Sequence, residues 1–121
     1  MSGVSLEILK LLSDIYTSAE RILVMLEKET LESFLSPSSI TIQDAVARRF
    51  TIIGEASSAL LKKHLDFCEQ NSAIPLRQAR GMRNALVHDY DGIKWEWVWM
   101  AAQKELPKLM ESIAPFLSPK P

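Results

Sequence analysis

Cysteine is almost missing from this 121-residue chain. Cys68 is the only one, so no intramolecular disulfide and no cysteine-based zinc cluster can form, and a reduced packing thiol is the expectation. Glycine is scarce too, at four residues, and neither a repeat nor a low-complexity stretch interrupts the pattern, which points to helices joined by short loops. No apolar run approaches the roughly 20 residues that cross a bilayer, and the opening MSGVSLEILK lacks the basic-then-apolar order of a signal peptide. A cytoplasmic location is therefore expected. Excess positive charge is absent as well: the formal net charge is −1, which excludes a broad basic surface of the kind that holds nucleic acid nonspecifically. If RNA is bound, the positive charge must be local, and Arg77, Arg80 and Arg83 supply the one dense cluster.

What is present suits a folded chain, with 47% hydrophobic and 24% charged residues. A single domain over residues 1–121 is expected, frayed from about Ser118. Ile8, Leu12, Ile15, Ala19, Ile22 and Leu26 recur in steps of four and three, predicting a first helix from about Ser5 into the low thirties. The stretch from Ser36 to Ser39 breaks it at Pro37, and Thr41 with Asp44 reads as a capping-box variant opening a second helix. That helix carries Ile42, Val46, Ile53, Ala56 and Leu60 and is predicted to reach Glu69 or Gln70. Gly54, mid-helix, costs roughly 1 kcal/mol of propensity against alanine, so another backbone or side chain is expected close to it.

A shorter third helix is predicted from Leu76 to about His88. The turn from Asp89 to Gly92 follows it, with Gly92 suited to a left-handed backbone. The last helix, from about Trp95 to Phe116, is apolar at Trp95, Trp99, Ala102, Leu106, Leu109, Ile113 and Phe116, with Pro107 predicted to kink it. Trp95, Trp97 and Trp99 are expected in core or subunit contacts, with base stacking the alternative.

The chemistry concentrates between Gly81 and Tyr90, where Arg83, Asn84, His88 and Tyr90 fall within eight residues. Histidine titrates near neutrality and can take a 2′-hydroxyl proton or return one to a leaving oxygen. Arginine stays charged and offers forked donors to phosphate oxygens as their charge grows. Together they could cleave RNA with neither metal nor cofactor. Helical geometry puts Arg80, Asn84 and His88 on one stripe, while Arg83 and His88 stand roughly 140° apart. The two meet at one phosphate only if the helix loosens before Asp89, if the Arg83 side chain wraps around, or if a second protomer completes the site; a dimer is favoured. The bland alternative is that His88 caps a helix end and Arg83 pairs with Asp89 or Glu55. Lys62, Lys63 and His64 read as a solvated face without a role.

The segment Arg83-Asn84-Ala85-Leu86-Val87-His88-Asp89-Tyr90 resembles the arginine, four residues, histidine, any residue, tyrosine motif of HepT-like proteins in the HEPN family. Gln43-Asp44-Ala45-Val46, Ile52-Ile53-Gly54-Glu55-Ala56, Ile74-Pro75 and Gly81-Met82 stand in the family's order and spacing, and Leu106-Pro107-Lys108-Leu109 resembles its usual ending. The resemblance covers about Ile8 to Met110. It implies an all-α antiparallel bundle of about four to five helices that dimerises with the motif at a cleft between protomers. It further implies a metal-independent endoribonuclease, the toxin of a type VII toxin–antitoxin system beside an MntA-type nucleotidyltransferase antitoxin. Arg83 and His88 carry over as catalytic candidates, Asn84, Arg80 and Glu55 as supporting groups, and Tyr90 as the adenylylation target. Two departures stand out: Leu76 follows the Ile-Pro pair where relatives often carry an aromatic residue, and the tryptophan run is heavy. The alternative reading is a noncatalytic HEPN partner that docks on a nucleotidyltransferase and presents Tyr90 or a nucleotide-binding cleft. A third is a purely structural dimeric bundle.

Overall fold

The computed structural model describes residues 4–87 and 92–117, and every regular element among them is helical. In order these are α1 (Leu6–Leu26), α2 (Leu31–Leu35), a 3-10 turn (Pro37–Ser39), α3 (Ile40–Lys63), α4 (Leu65–Gln70), α5 (Leu76–Val87), α6 (Trp95–Lys104) and α7 (Leu106–Leu117). The four helical stretches expected from the sequence are all present, and three of them divide, which raises the count to seven among the described residues.

Each division has a local cause or a partner. The first stretch stops at Leu26 instead of running on, because Thr30 starts a new helix with a reciprocal capping box: its hydroxyl accepts from the Ser33 amide at 3.1 Å and its own amide donates to Ser33 Oγ at 2.8 Å. The expected Thr41–Asp44 cap does not form. Helix α3 begins at Ile40, its N-cap Ser39 makes no capping bond, and Ser39 Oγ instead donates to the Ser33 carbonyl at 2.6 Å. Nor does this helix reach Glu69 unbroken. His64 leaves the helical region (φ −134°, ψ 48°) and separates α3 from α4. At Pro107 the expected kink becomes a full break at Glu105. A proline there has no amide hydrogen and its ring would strike the Gln103 carbonyl, so a new helix starts at Leu106.

Packing is a row of four helices, α5 on α3, α3 on α1 and α1 on α7, with α6 crossing from α7 to α2. The stripe Ile8, Leu12, Ile15, Ala19, Ile22 and Leu26 is buried as its spacing required, and so are Val46, Ile53, Ala56 and Leu60 of α3 and Leu106, Leu109 and Ile113 of α7. Phe34, fully buried on short α2, packs against Trp95 and Trp99 with ring centroids 5.9 and 5.6 Å away, and Gln43 Nε2 donates to its carbonyl at 2.8 Å. Two of the three tryptophans thus serve the core, while Trp97 points outward at 42% exposure. Cys68 is buried, as expected of a packing thiol. Burial pushes its pKa up, partly offset by the nearby Arg77 guanidinium. No helix among the described residues is long and apolar enough to cross a membrane.

Candidate functional site

Helix α5 carries the arginines, and its contact with α3 decides how they point. Leu76, Ala79 and Met82 are buried along it and Leu86 packs partly against the core. The steps 76, 79, 83, 86 place Arg83 in a core-facing slot that the helical period would otherwise give to an apolar residue. Gly54 on α3 makes room for it. A Cβ built at Gly54 would overlap the Cβ of Arg83 and approach its Cγ and Cδ to 3.2 Å, so the arginine stem lies flat across the glycine. The close approach expected from a glycine in mid-helix is therefore found, and the neighbour is the arginine of the motif. Sequence reasoning flagged Gly54 but had no signal for which residue it meets.

Arg83 Nε is buried and makes no hydrogen bond among the described residues. Ser57 Oγ, one turn beyond Gly54 on α3, is in the same condition. Glu55 is exposed, and no ion pair joins it to Arg83 among the described residues. That removes the Glu55 version of the bland pairing. Arg80 is half-buried and Arg77 exposed. Arg77 sits at the other end of α5, beside Cys68 in a cleft that also includes Leu61, Ile74 and Leu76. Eleven residue steps at 1.5 Å put that cleft about 17 Å from the C-terminal end of α5. The three arginines differ in setting: Arg77 lines that cleft, Arg80 is half-buried, and the Arg83 stem lies on Gly54.

Of the remaining site residues, His88, Asp89 and Tyr90 lie outside the described residues, as does the side chain of Asn84. The backbone does fix where their segment joins the fold. Helix α5 runs through Val87, and Gly92 has φ +113°, the left-handed position expected of that glycine. From there the chain passes directly into an apolar surface groove lined by Ile93, Trp95, Trp97, Met100 and Leu35. Leu35, Trp97 and Met100 are 37–42% exposed, so a patch of large apolar side chains adjoins the motif turn.

One polar contact was absent from the expectations. His64, assigned to a solvated face, is only 20% exposed at its side chain; its Nε2 donates to Glu7 Oε1 at 2.7 Å, and Lys63 Nζ stands 3.8 Å from the other carboxylate oxygen. This ties the start of α1 to the α3–α4 break. Fifty-seven residues of sequence separate the partners, and no local pattern connects them.

Comparison with known proteins identifies the family. The family described as "Ribonuclease HepT-like" matches residues 15–115. A protein of Caldanaerobacter subterraneus subsp. tengcongensis named as a candidate RNase, TTE0752, is 33% identical over 88 residues, covering 73% of this chain and 74% of that protein. "Probable ribonuclease HepT" of Thermococcus cleftensis is 33% identical over 98 residues, covering 81% of this chain and 84% of that protein. The candidate RNase MJ1380 of Methanocaldococcus jannaschii is 30% identical over 102 residues, covering 84% and 89%. No solved structure matches. With the family match spanning residues 15–115, nearly all of the helical bundle, the chain belongs to the HepT-like ribonuclease family.

Proposed function

We propose that this chain is a metal-independent endoribonuclease toxin that cleaves RNA through the 2′-hydroxyl, with Arg83 and His88 as its catalytic pair. The observation that carries the reading is Arg83 itself: a permanently charged side chain held in a core-facing slot of α5, five residues before the motif histidine, with a buried donor that has no acceptor among the described residues. Placing a guanidinium there is costly unless an anion uses it.

In the reaction, His88 takes the proton of the ribose 2′-hydroxyl as its oxygen attacks phosphorus. The bond from phosphorus to the 5′-oxygen breaks, and that oxygen leaves with a proton returned by an imidazolium. The products are a 2′,3′-cyclic phosphate and a 5′-hydroxyl. Arg83 offsets the charge that accumulates on the phosphoryl oxygens; Asn84 and Arg80 are supporting donors, and exposed Glu55 lies beside the Gly54 seat. Because the Arg83 stem is committed to α3, wrapping around α5 toward His88 is disfavoured. That leaves loosening of the helix end or completion by a second protomer, and the exposed Leu35, Trp97 and Met100 beside the motif turn support a homodimer.

Control falls to Tyr90. A partner nucleotidyltransferase antitoxin transfers adenylate from ATP to the phenol oxygen with loss of pyrophosphate. The added phosphodiester charge and base, two residues from His88, repel and obstruct an RNA phosphate. Intact mass followed by RNA cleavage in EDTA, on parent and His88→Ala protein made without the antitoxin, tests the reading. Cleavage to cyclic-phosphate ends that disappears in His88→Ala and Arg83→Ala, by at least 10²-fold, is the expected result. Intact RNA after incubation with folded, unmodified parent protein would transfer the weight to a noncatalytic docking partner.

A further inference from the structure

We propose that Gly54 is a positioning residue for cleavage, acting through Arg83: it is the seat that sets the direction of the arginine stem and so the place of its guanidinium. This rests on the reading of Arg83 as part of the cleavage site. Three observations converge. The Cβ, Cγ and Cδ of Arg83 all lie over the Gly54 Cα, so three successive stem atoms are constrained by one missing side chain. The Nε that follows them is buried and has no hydrogen-bond partner among the described residues, so no protein acceptor at that atom holds the guanidinium in place. Packing of α5 on α3 thus sets the direction of the stem up to Cδ. A second helical glycine gives the contrast: Gly81, two residues from Arg83 on α5, has nothing within 4 Å of the Cβ it would gain.

A methyl at position 54 cannot share space with the Arg83 Cβ, and the contact involves the root of the side chain, where no rotamer change relieves it. The backbones must part or α5 must turn on its axis, carrying Arg83 off the seat. Either moves the guanidinium by a fraction of an ångström or more at a site where a misplacement of about 1 Å costs on the order of 10²-fold in rate. The loss belongs to kcat, because the guanidinium matters most as phosphoryl charge develops, whereas phosphate contacts elsewhere along the RNA govern KM.

The experiment compares parent, Gly54→Ala and Gly81→Ala proteins by circular dichroism, steady-state cleavage of a short RNA, and the Arg83 Nε–Hε NMR signal, assigned by its disappearance in Arg83→Lys. Folded Gly54→Ala with kcat reduced 10-fold or more, KM within about threefold, and a displaced or exchange-broadened Nε–Hε signal is expected, while Gly81→Ala leaves that signal in place. Folded Gly54→Ala with parental kcat and an unmoved signal overturns the proposal. If the parent itself leaves RNA intact, the ribonuclease reading fails separately and the NMR comparison alone decides whether Gly54 seats Arg83. If Gly54→Ala does not fold, Gly54→Ala/Arg83→Gly is made: recovery of the fold supports the seat, because the colliding Cβ is gone, and continued unfolding overturns it.

Discussion

Replacing Phe34 with alanine tests how the motif turn is held from its downstream side. Phe34 is fully buried, touches both Trp95 and Trp99, and is the only buried side chain of a five-residue helix. Truncating a buried phenylalanine costs about 3–5 kcal/mol, within which two aromatic contacts of roughly 0.5–1.5 kcal/mol each are counted. A domain of this length is stable by about 6–18 kcal/mol at 0.05–0.15 kcal/mol per residue, so Phe34→Ala should remove about a sixth of the total or more. With a urea slope of about 1.5 kcal/mol per molar, a loss of roughly 4 kcal/mol moves the midpoint down by about 2.7 M. Tryptophan fluorescence is the natural probe, since Trp95 and Trp99 lose their neighbour. Val24→Ala, on the exposed side of α1, serves as control and should stay within about 0.5 kcal/mol of the parent. A Phe34→Ala loss below about 1 kcal/mol would refute the reasoning: α2 would then not contribute to the core, and α6 would not be anchored through it.

Tyr90→Phe should keep cleavage while escaping control by the antitoxin with ATP; unchanged silencing, seen in the cleavage assay, sinks the adenylylation reading. Ser57→Ala removes a buried hydroxyl that has no partner among the described residues, so it should be neutral or stabilising by up to about 1 kcal/mol in a urea titration, and a loss above that value means the hydroxyl is satisfied. Burial raises the Cys68 pKa, so the native thiol is less ionised than an unfolded one and alkylation by iodoacetamide at pH 8.5 should be slow until urea unfolds the chain. The sign for stability follows: the contribution is complete below the unfolded thiol pKa and is lost as pH rises through the higher folded value. A Cys68→Ser variant should show less of that alkaline loss.

The long apolar stripes of α1, α3 and α7 were legible because a 3.6-residue period leaves its mark wherever one face is buried. The places where the chain breaks were less so. The Thr30 capping box lies beyond Leu26, the last residue of the apolar stripe, and its partner is a serine instead of a glutamate; the break at His64 is accompanied by a bond to Glu7, fifty-seven residues away, that no local signal announces. The site divided the same way. Arg83 and His88 were visible as chemistry at a spacing, and Gly54 as an unexplained helix glycine. That Gly54 and Arg83 belong together is a fact of the α3–α5 contact, which sequence periodicity describes for each helix and never for the pair.

The row α5, α3, α1, α7 also orders events in time. As the chain leaves the ribosome, α1 can meet α3 early and α5 can dock soon after, but the surface of α1 that α7 covers stays wet until the final helix emerges. A chain halted or clipped before Leu106 would leave that apolar face of α1 open, the kind of surface that chaperones and proteases act on, while Arg83 sits at the far end of the row on α5. Any copy that lacks α7 is thereby marked by its own exposed core, whatever the state of the helix that carries Arg83.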